Sequence, residues 1–230
     1  MDLLRDRLLA YDILQMDETP VQVLKEPGRA AQSKSYLWLQ RSGPPDQPVL
    51  LHGYDPGRGA DVPKRLLTGY KGYLHTDGYD GDNAVVAENN LTPVGCMAHA
   101  RRRFSDAVKA QGKAKQRGHA HRGLVLIQKL YRIEKQTRKL DPEARPILDE
   151  LHAWLDNVLP QVLPTSATCK ALNYLHNEWD RLIRYLDDGR LAIDNNAAEN
   201  AIRPFVLGRK NWLFSASVKG VKASANLYSL

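Results

Sequence analysis

Three acidic residues in separate settings are the part of this chain that could do chemistry. Asp17 lies in ILQMDETPVQVL, Asp77 in GYLHTDGYDGDN and Glu199 in IDNNAAENAIRPFVLGRKNWLF. The first two end apolar runs that read as strands, and the third sits in an Ala-rich run that reads as a helix. Two carboxylates on strand ends and one on a later helix can converge on a divalent metal. Mg²⁺ prefers hard oxygen ligands and keeps several waters, so a few carboxylates suffice. Two such ions roughly 3.5–4 Å apart can stabilise both the attacking and the leaving oxygen of an in-line displacement at phosphorus. That is the requirement for phosphoryl transfer on nucleic acid. Without a metal, carboxylates about 4 Å apart repel by about 4 kcal/mol at an effective dielectric near 20. Such a cluster makes sense only with a bound cation or a shared proton.

Each acid has local support and local rivals. Strand alternation by itself does not choose between Asp17 and Glu18. Gly78 after Asp77 fits a sharp turn at a strand exit, with Asp80 and Asp82 as neighbours of similar chemistry. With Asp194 as N-cap, Asn195, Glu199 and Arg203 share one helix face at i, i+4 and i+8. Pro204 is expected to kink or end that helix, because it lacks an N–H and crowds the carbonyl of Asn200.

The elements that must position these residues are an α/β set. Candidate strands are 12–16, 36–40, 49–54, 73–76 and 93–97, and the turn signals KEPGR, RSGPPDQP and DPGRG separate the first of them. Asp61 can cap a short helix with Pro63 in its first turn, and 83–88 reads as another. From His99 to about Gly189 the pattern is helical only. Ile147, Leu148, Leu151, Trp154, Leu155, Val158 and Leu159 repeat at helical spacing, as do Leu172, Leu175, Trp179, Leu182, Ile183 and Leu186. Trp154 and Trp179 are expected as core anchors and not as platforms for bases. Trp212 and Phe214 are expected beneath the sheet.

At 230 residues the chain can bury one sizeable core. No apolar run reaches membrane-span length, and the start MDLLRDRLLAYD carries acids where a secretory signal needs a basic stretch. Cys96 and Cys169 are far apart and outside any CxxC spacing, as expected of buried thiols in a reducing cytoplasm. The net charge of +7 is segregated: residues 101–145 hold 14 Lys/Arg against 4 Asp/Glu, and residues 203–230 hold 5 Lys/Arg and no acid. Segregation of this kind suits a polyanionic partner or a solvated helical face.

Three motifs in order, DETPVQVL, HTDGYDGDN followed by VGCMAHARRRF, and DNNAAENAIRPFVLGRKNWLFS, resemble those of insertion-sequence-66 family transposases. The resemblance implies an α/β fold with an RNase H-like mixed sheet flanked by helices. It also implies an all-helical insertion between the last strand and the helix carrying the final glutamate. The expected division is 1–98 and 191–230 for the core, the latter truncated, and 99–190 for the basic insertion. Asp17, Asp77 and Glu199 would form the catalytic, metal-binding triad of a DDE-type enzyme; the choice of Asp17 over Glu18 rests on the resemblance. Two Mg²⁺ ions, with Mn²⁺ as the alternative, are the implied cofactors. His99, Arg102, Arg203, Arg209 and Lys210 are the implied DNA contacts. The expected partners are transposon ends and target DNA, a homo-oligomer on that DNA and accessory proteins of the element, with no membrane. The setting is the bacterial cytoplasm and nucleoid. The family's N-terminal cysteine-rich and helix-turn-helix regions are not among these residues, so an inactive DNA-binding remnant is the alternative expectation.

Overall fold

The computed structural model describes residues 2–110, 118–137 and 142–229. Of the basic stretch, Lys113, Lys115, Arg117, Arg138 and Lys139 lie outside the described residues. The chain divides into two compact units, Met1–Pro93 with Asn195–Leu230, and Val94–Asp194.

The first unit is built on a mixed sheet. Its strands are β1 (Ile13–Lys25), β2 (Lys34–Ser42), β3 (Val49–Asp55), β4 (Tyr73–His75), β5 (Thr92–Val94) and β6 (Ser215–Ser217). The order is β3-β2-β1-β4-β5, with β6 paired separately to β1. The turn signals place β1, β2 and β3 antiparallel, whereas β4 and β6 run parallel to β1. The short β6, after the glutamate helix, was not legible as a strand.

Helices cover both faces. Leu14 and Met16 of β1 and Trp38 of β2 pack with Leu8 of α1 (Asp2–Leu9), Val62 of α2 (Asp61–Leu66) and Val85 of α3 (Asn83–Asn89). Val21, Val23 and Leu37 point the other way, onto Phe205 of α9 (Asn196–Trp212) and Val221 and Ala225 of α10 (Val218–Tyr228). Leu39 meets Ala198 and Ile202 of α9 on that same face.

β1 corrects the expectation that its strand stops before Asp17. It continues to Lys25 because Thr19, Val21 and Val23 keep an inward period of two. Pro20 is tolerated because β4 leaves β1 at Gln15 and β6 joins only at Val23, so this stretch has β2 alone as a ladder neighbour. α9 likewise runs through Pro204 to Trp212. Asn200 and Pro204 are both exposed, so water can satisfy the carbonyl that the proline leaves without a helical donor. Asp61 falls inside α2 and is not its cap.

The second unit is helical: α4 (Met97–Ala110), α5 (His119–Thr137), α6 (Ala144–Val158), α7 (Ala167–Asn177) and α8 (Trp179–Leu182). Its core includes Phe104, Ile127, Leu151, Leu155, Leu172 and Leu175, all fully buried. Trp154 is a core residue tilted against Phe104, while Trp179 is half-buried and stacks on His152. The continuous helix expected over 172–186 breaks at Glu178. A second break follows Leu182, where the Arg181 carbonyl accepts the N–H of Gly95 (2.9 Å) instead of a helical donor. Met97 begins α4, so β5 is shorter than expected. Among the described residues no helix is long and apolar enough to cross a membrane, and both cysteines are free and buried.

Leu39 is fully buried between the sheet and α9. Leu39→Ala should therefore lower unfolding stability by about 2–5 kcal/mol, measured by urea denaturation. A loss below 0.5 kcal/mol would show that α9 does not pack there.

Candidate functional site: a carboxylate cluster on β1

The site follows from the parity of β1. Paired residues of an antiparallel ladder share a face, and Asp17 is opposite Leu39, Glu18 opposite Trp38 and Thr19 opposite Leu37. Leu39 and Leu37 face α9, whereas Trp38 faces α1–α3. Asp17 therefore points toward the helix that carries Glu199, and Glu18 points away from it. The two acids, equivalent by alternation in the sequence, are separated by face, and only Asp17 shares the face of α9.

α9 is tied to β1 at both ends. Asn195, almost wholly buried, donates from Nδ2 to the Met16 carbonyl (2.9 Å). Arg209 donates from Nη1 to Thr19 Oγ1 (3.0 Å) and to the Pro20 carbonyl. Asn195 and not Asp194 flanks the first turn, and its side chain holds the strand instead of capping the helix. Glu199 follows one turn later, half-buried, in the first turn of α9. Asp77 lies just past β4, where Gly78 takes φ +84° to turn the chain. Asp77 Oδ1 accepts the N–H of Tyr79 (3.1 Å).

Electrostatics link the three acids. Burial first, then the charges of Glu18, Asp77 and Glu199, push the Asp17 carboxyl from 3.8 up to about 7, against a lowering bond from the Glu18 N–H (2.9 Å). Glu18 is also raised, mainly by burial, but Arg58 opposes the shift: its Nε lies 2.5 Å from Glu18 Oε1 in an ion pair. The cation thus serves Glu18, while at Asp17 burial and like charges act in the same direction. Asp80 is exposed and Asp82 buried on the 3₁₀ turn that follows Asp77.

The remaining expected residues are distributed over both units. Arg203 and Lys210 are exposed on α9. His99 is half-buried and Arg102 exposed on α4 of the second unit. Flanking Arg102, Arg101 lies over the Tyr131 ring (4.4 Å) and Arg103 over the Tyr174 ring (4.3 Å). Trp212 packs edge-on to Phe205 (5.3 Å), but Phe214, expected beneath the sheet, is 42% exposed in the connection between α9 and β6. Sequence reasoning missed Arg58 and Tyr79. The only available signals were an arginine in the DPGRG turn and an aromatic two residues after Asp77.

The profile of the Transposase IS66 family matches residues 1–223, and the chain belongs to that family. It is similar to uncharacterised proteins of Sinorhizobium fredii (strain NBRC 101917 / NGR234). One, y4jD, is 31% identical over 99% of this chain and 48% of its own length. Another, y4hP, is 28% identical over 97% of this chain and 45% of its own length. The chain spans about half the length of the curated relatives it matches. No solved structure matches it.

Between pH 4 and 7 the folded chain holds a proton on Asp17 that the unfolded chain has lost, because its folded pKa of about 7 lies above the ordinary 3.8. Stability in chelator should therefore fall as pH rises through this window and level off above it. Asp17→Asn should be more stable than wild type at pH 8, by about 2 kcal/mol after allowance for partial exposure. The gap should close by pH 4, as measured by chemical denaturation. An equal pH slope in the two proteins would show that Asp17 is not the strained carboxyl.

Proposed function

We propose that this chain is the catalytic domain of a DDE-type DNA transposase, with Asp17, Asp77 and Glu199 as the carboxylates that hold divalent cations. The observation that carries the reading is Asp17, pushed to about 7 by burial and three like-charged neighbours, with the nearby arginine paired to Glu18. Oxygen-only donors of this type suit Mg²⁺ or Mn²⁺, and two ions are the number this chemistry uses. Bound divalent cations supply Lewis-acid stabilisation of the attacking and leaving oxygens of a phosphodiester. The chain's part is to orient. Gly78 turns Asp77 out of β4, the Asn195 and Arg209 bonds set Glu199 on α9, and fully buried Leu39 holds α9 beside Asp17 on the same sheet face.

In this reading residues 1–98 and 191–230 are an RNase H-like core and 99–190 a helical insertion. The partners are DNA at element ends and targets, a homo-oligomer assembled on it and accessory proteins of the element, and the setting is cytoplasmic. Exposed Arg203 and Lys210, with Arg102 in the second unit, are the proposed phosphate contacts. His99 belongs to the same proposed group. Arg209 has part of its guanidinium committed to Thr19 and Pro20, so its removal would also loosen α9.

Nicking and strand transfer in Mg²⁺ or Mn²⁺ test the reading. Asp77→Ala should lose about 10²–10³-fold or more of the rate while binding DNA as wild type does in chelator. Equal rates would leave an inactive DNA-binding remnant, and hydrolysis without joining would indicate a plain nuclease. Binding to duplex DNA should weaken with salt at a log–log slope of about −0.9 per phosphate neutralised. An affinity indifferent to salt would remove the basic segments as the contact surface.

A further inference from the structure

Tyr79 is attached at three points. Its N–H donates to Asp77 Oδ1 (3.1 Å), its hydroxyl donates to the Arg58 carbonyl, and its ring carries the Arg58 guanidinium at 4.0 Å from the centroid. A methyl group at Gly81 would lie 2.2 Å from Tyr79 Cε1, so that glycine lets the turn close against the ring. The guanidinium over the ring is the one that pairs with Glu18. Glu18 in turn donates its N–H to Asp17 Oδ1 (2.9 Å). A continuous path of contacts therefore joins Asp17 to Asp77 through Glu18, Arg58 and Tyr79, drawing on β1, the loop after β3 and the turn after β4.

We propose that Arg58 and Tyr79 are positioning residues: the Glu18–Arg58–Tyr79 strut fixes the Asp77 turn to β1, so that the Asp17 and Asp77 carboxylates are preset for a divalent cation. This rests on reading those carboxylates as a cation site. Groups behind metal ligands commonly set ligand orientation, and their loss weakens metal binding. Arginine suits the task because its planar fork can pair with a carboxylate while its face stacks on an aromatic ring. Lysine, a point charge on a flexible stem, cannot do both in one geometry.

The strut and a bare charge predict opposite signs. As a charge alone, Arg58 repels a cation, and its removal would tighten binding. As a strut, its removal frees the Asp77 turn and weakens binding.

The test is Mn²⁺ titration by calorimetry on the whole chain as wild type, Arg58→Ala, Arg58→Lys, Tyr79→Phe and Asp77→Asn. Amide exchange over residues 77–82 is followed in parallel in chelator, and thermal melting checks that each variant is folded. Arg58→Ala should weaken Mn²⁺ binding about tenfold or more and speed exchange over 77–82. Tyr79→Phe should act in the same direction, and Arg58→Lys should not restore wild-type affinity. Tighter Mn²⁺ binding by Arg58→Ala, or unchanged exchange in both Arg58→Ala and Tyr79→Phe, overturns the strut. Absence of Mn²⁺ uptake by the wild type overturns the cation-site reading instead; the exchange rates, which need no metal, still decide whether the strut orders the turn.

Discussion

The docking of α9 across β1 is the constraint on which the candidate site depends. Asn195 holds the Met16 carbonyl at one end, Arg209 holds Thr19 and Pro20 at the other, and Ala198 and Ile202 press on Leu39 between them. Ala198 and Ile202 supply apolar contact, and the two polar ties set the register, since the buried Asn195 amide without its partner would be costly. Glu199 is one turn from the first tie, so its position over β1 follows from bonds made by its neighbours. Asp17 needs only to be on the strand face that Leu39 already shares with α9.

That arrangement brings like charges together in a partly dry setting. A fold selected for stability alone would not bury Asp17 beside Glu18, Asp77 and Glu199, because burial first and these like charges second raise its pKa to about 7 and cost free energy at neutral pH. Arg58 offsets the cost at Glu18, and in the proposed reading a bound cation would offset it at Asp17. The sheet provides room for this. β4 parts from β1 before Asp17 and β6 joins only after it, so the acid-bearing stretch has a neighbouring strand on one side only.

Much of this was legible in the sequence. The three turn signals delimited β1, β2 and β3, and the helical spacing of 147–159 gave α6; the choice of the three acids among their rivals came from the family resemblance. What was not legible depended on tertiary context. Alternation alone cannot tell which face of β1 meets which helix, so by pattern Asp17 and Glu18 were equivalent, and only the placement of Leu39 and Trp38 shows that they point to opposite sides. Pro20 and Pro204 read as breaks but sit where a missing N–H is cheap, the first beside an unpaired strand edge and the second on a solvent-facing helix surface. Arg58 and Tyr79 gave no pattern signal, because their roles come from a meeting of two loops distant in sequence. Asn195 looked like a helix residue on the Glu199 face and proved to be a tie to the strand.

The most direct test of the central claim is a crystal structure of the chain grown with Mn²⁺, with the metal located by its anomalous scattering. The account predicts at least one peak bound by Asp17 and Asp77, with Glu199 at that ion or a second one roughly 3.5–4 Å away. A peak bound elsewhere, or Asp17, Asp77 and Glu199 carboxylates held more than about 10 Å apart, beyond the span of a two-ion site, would contradict it.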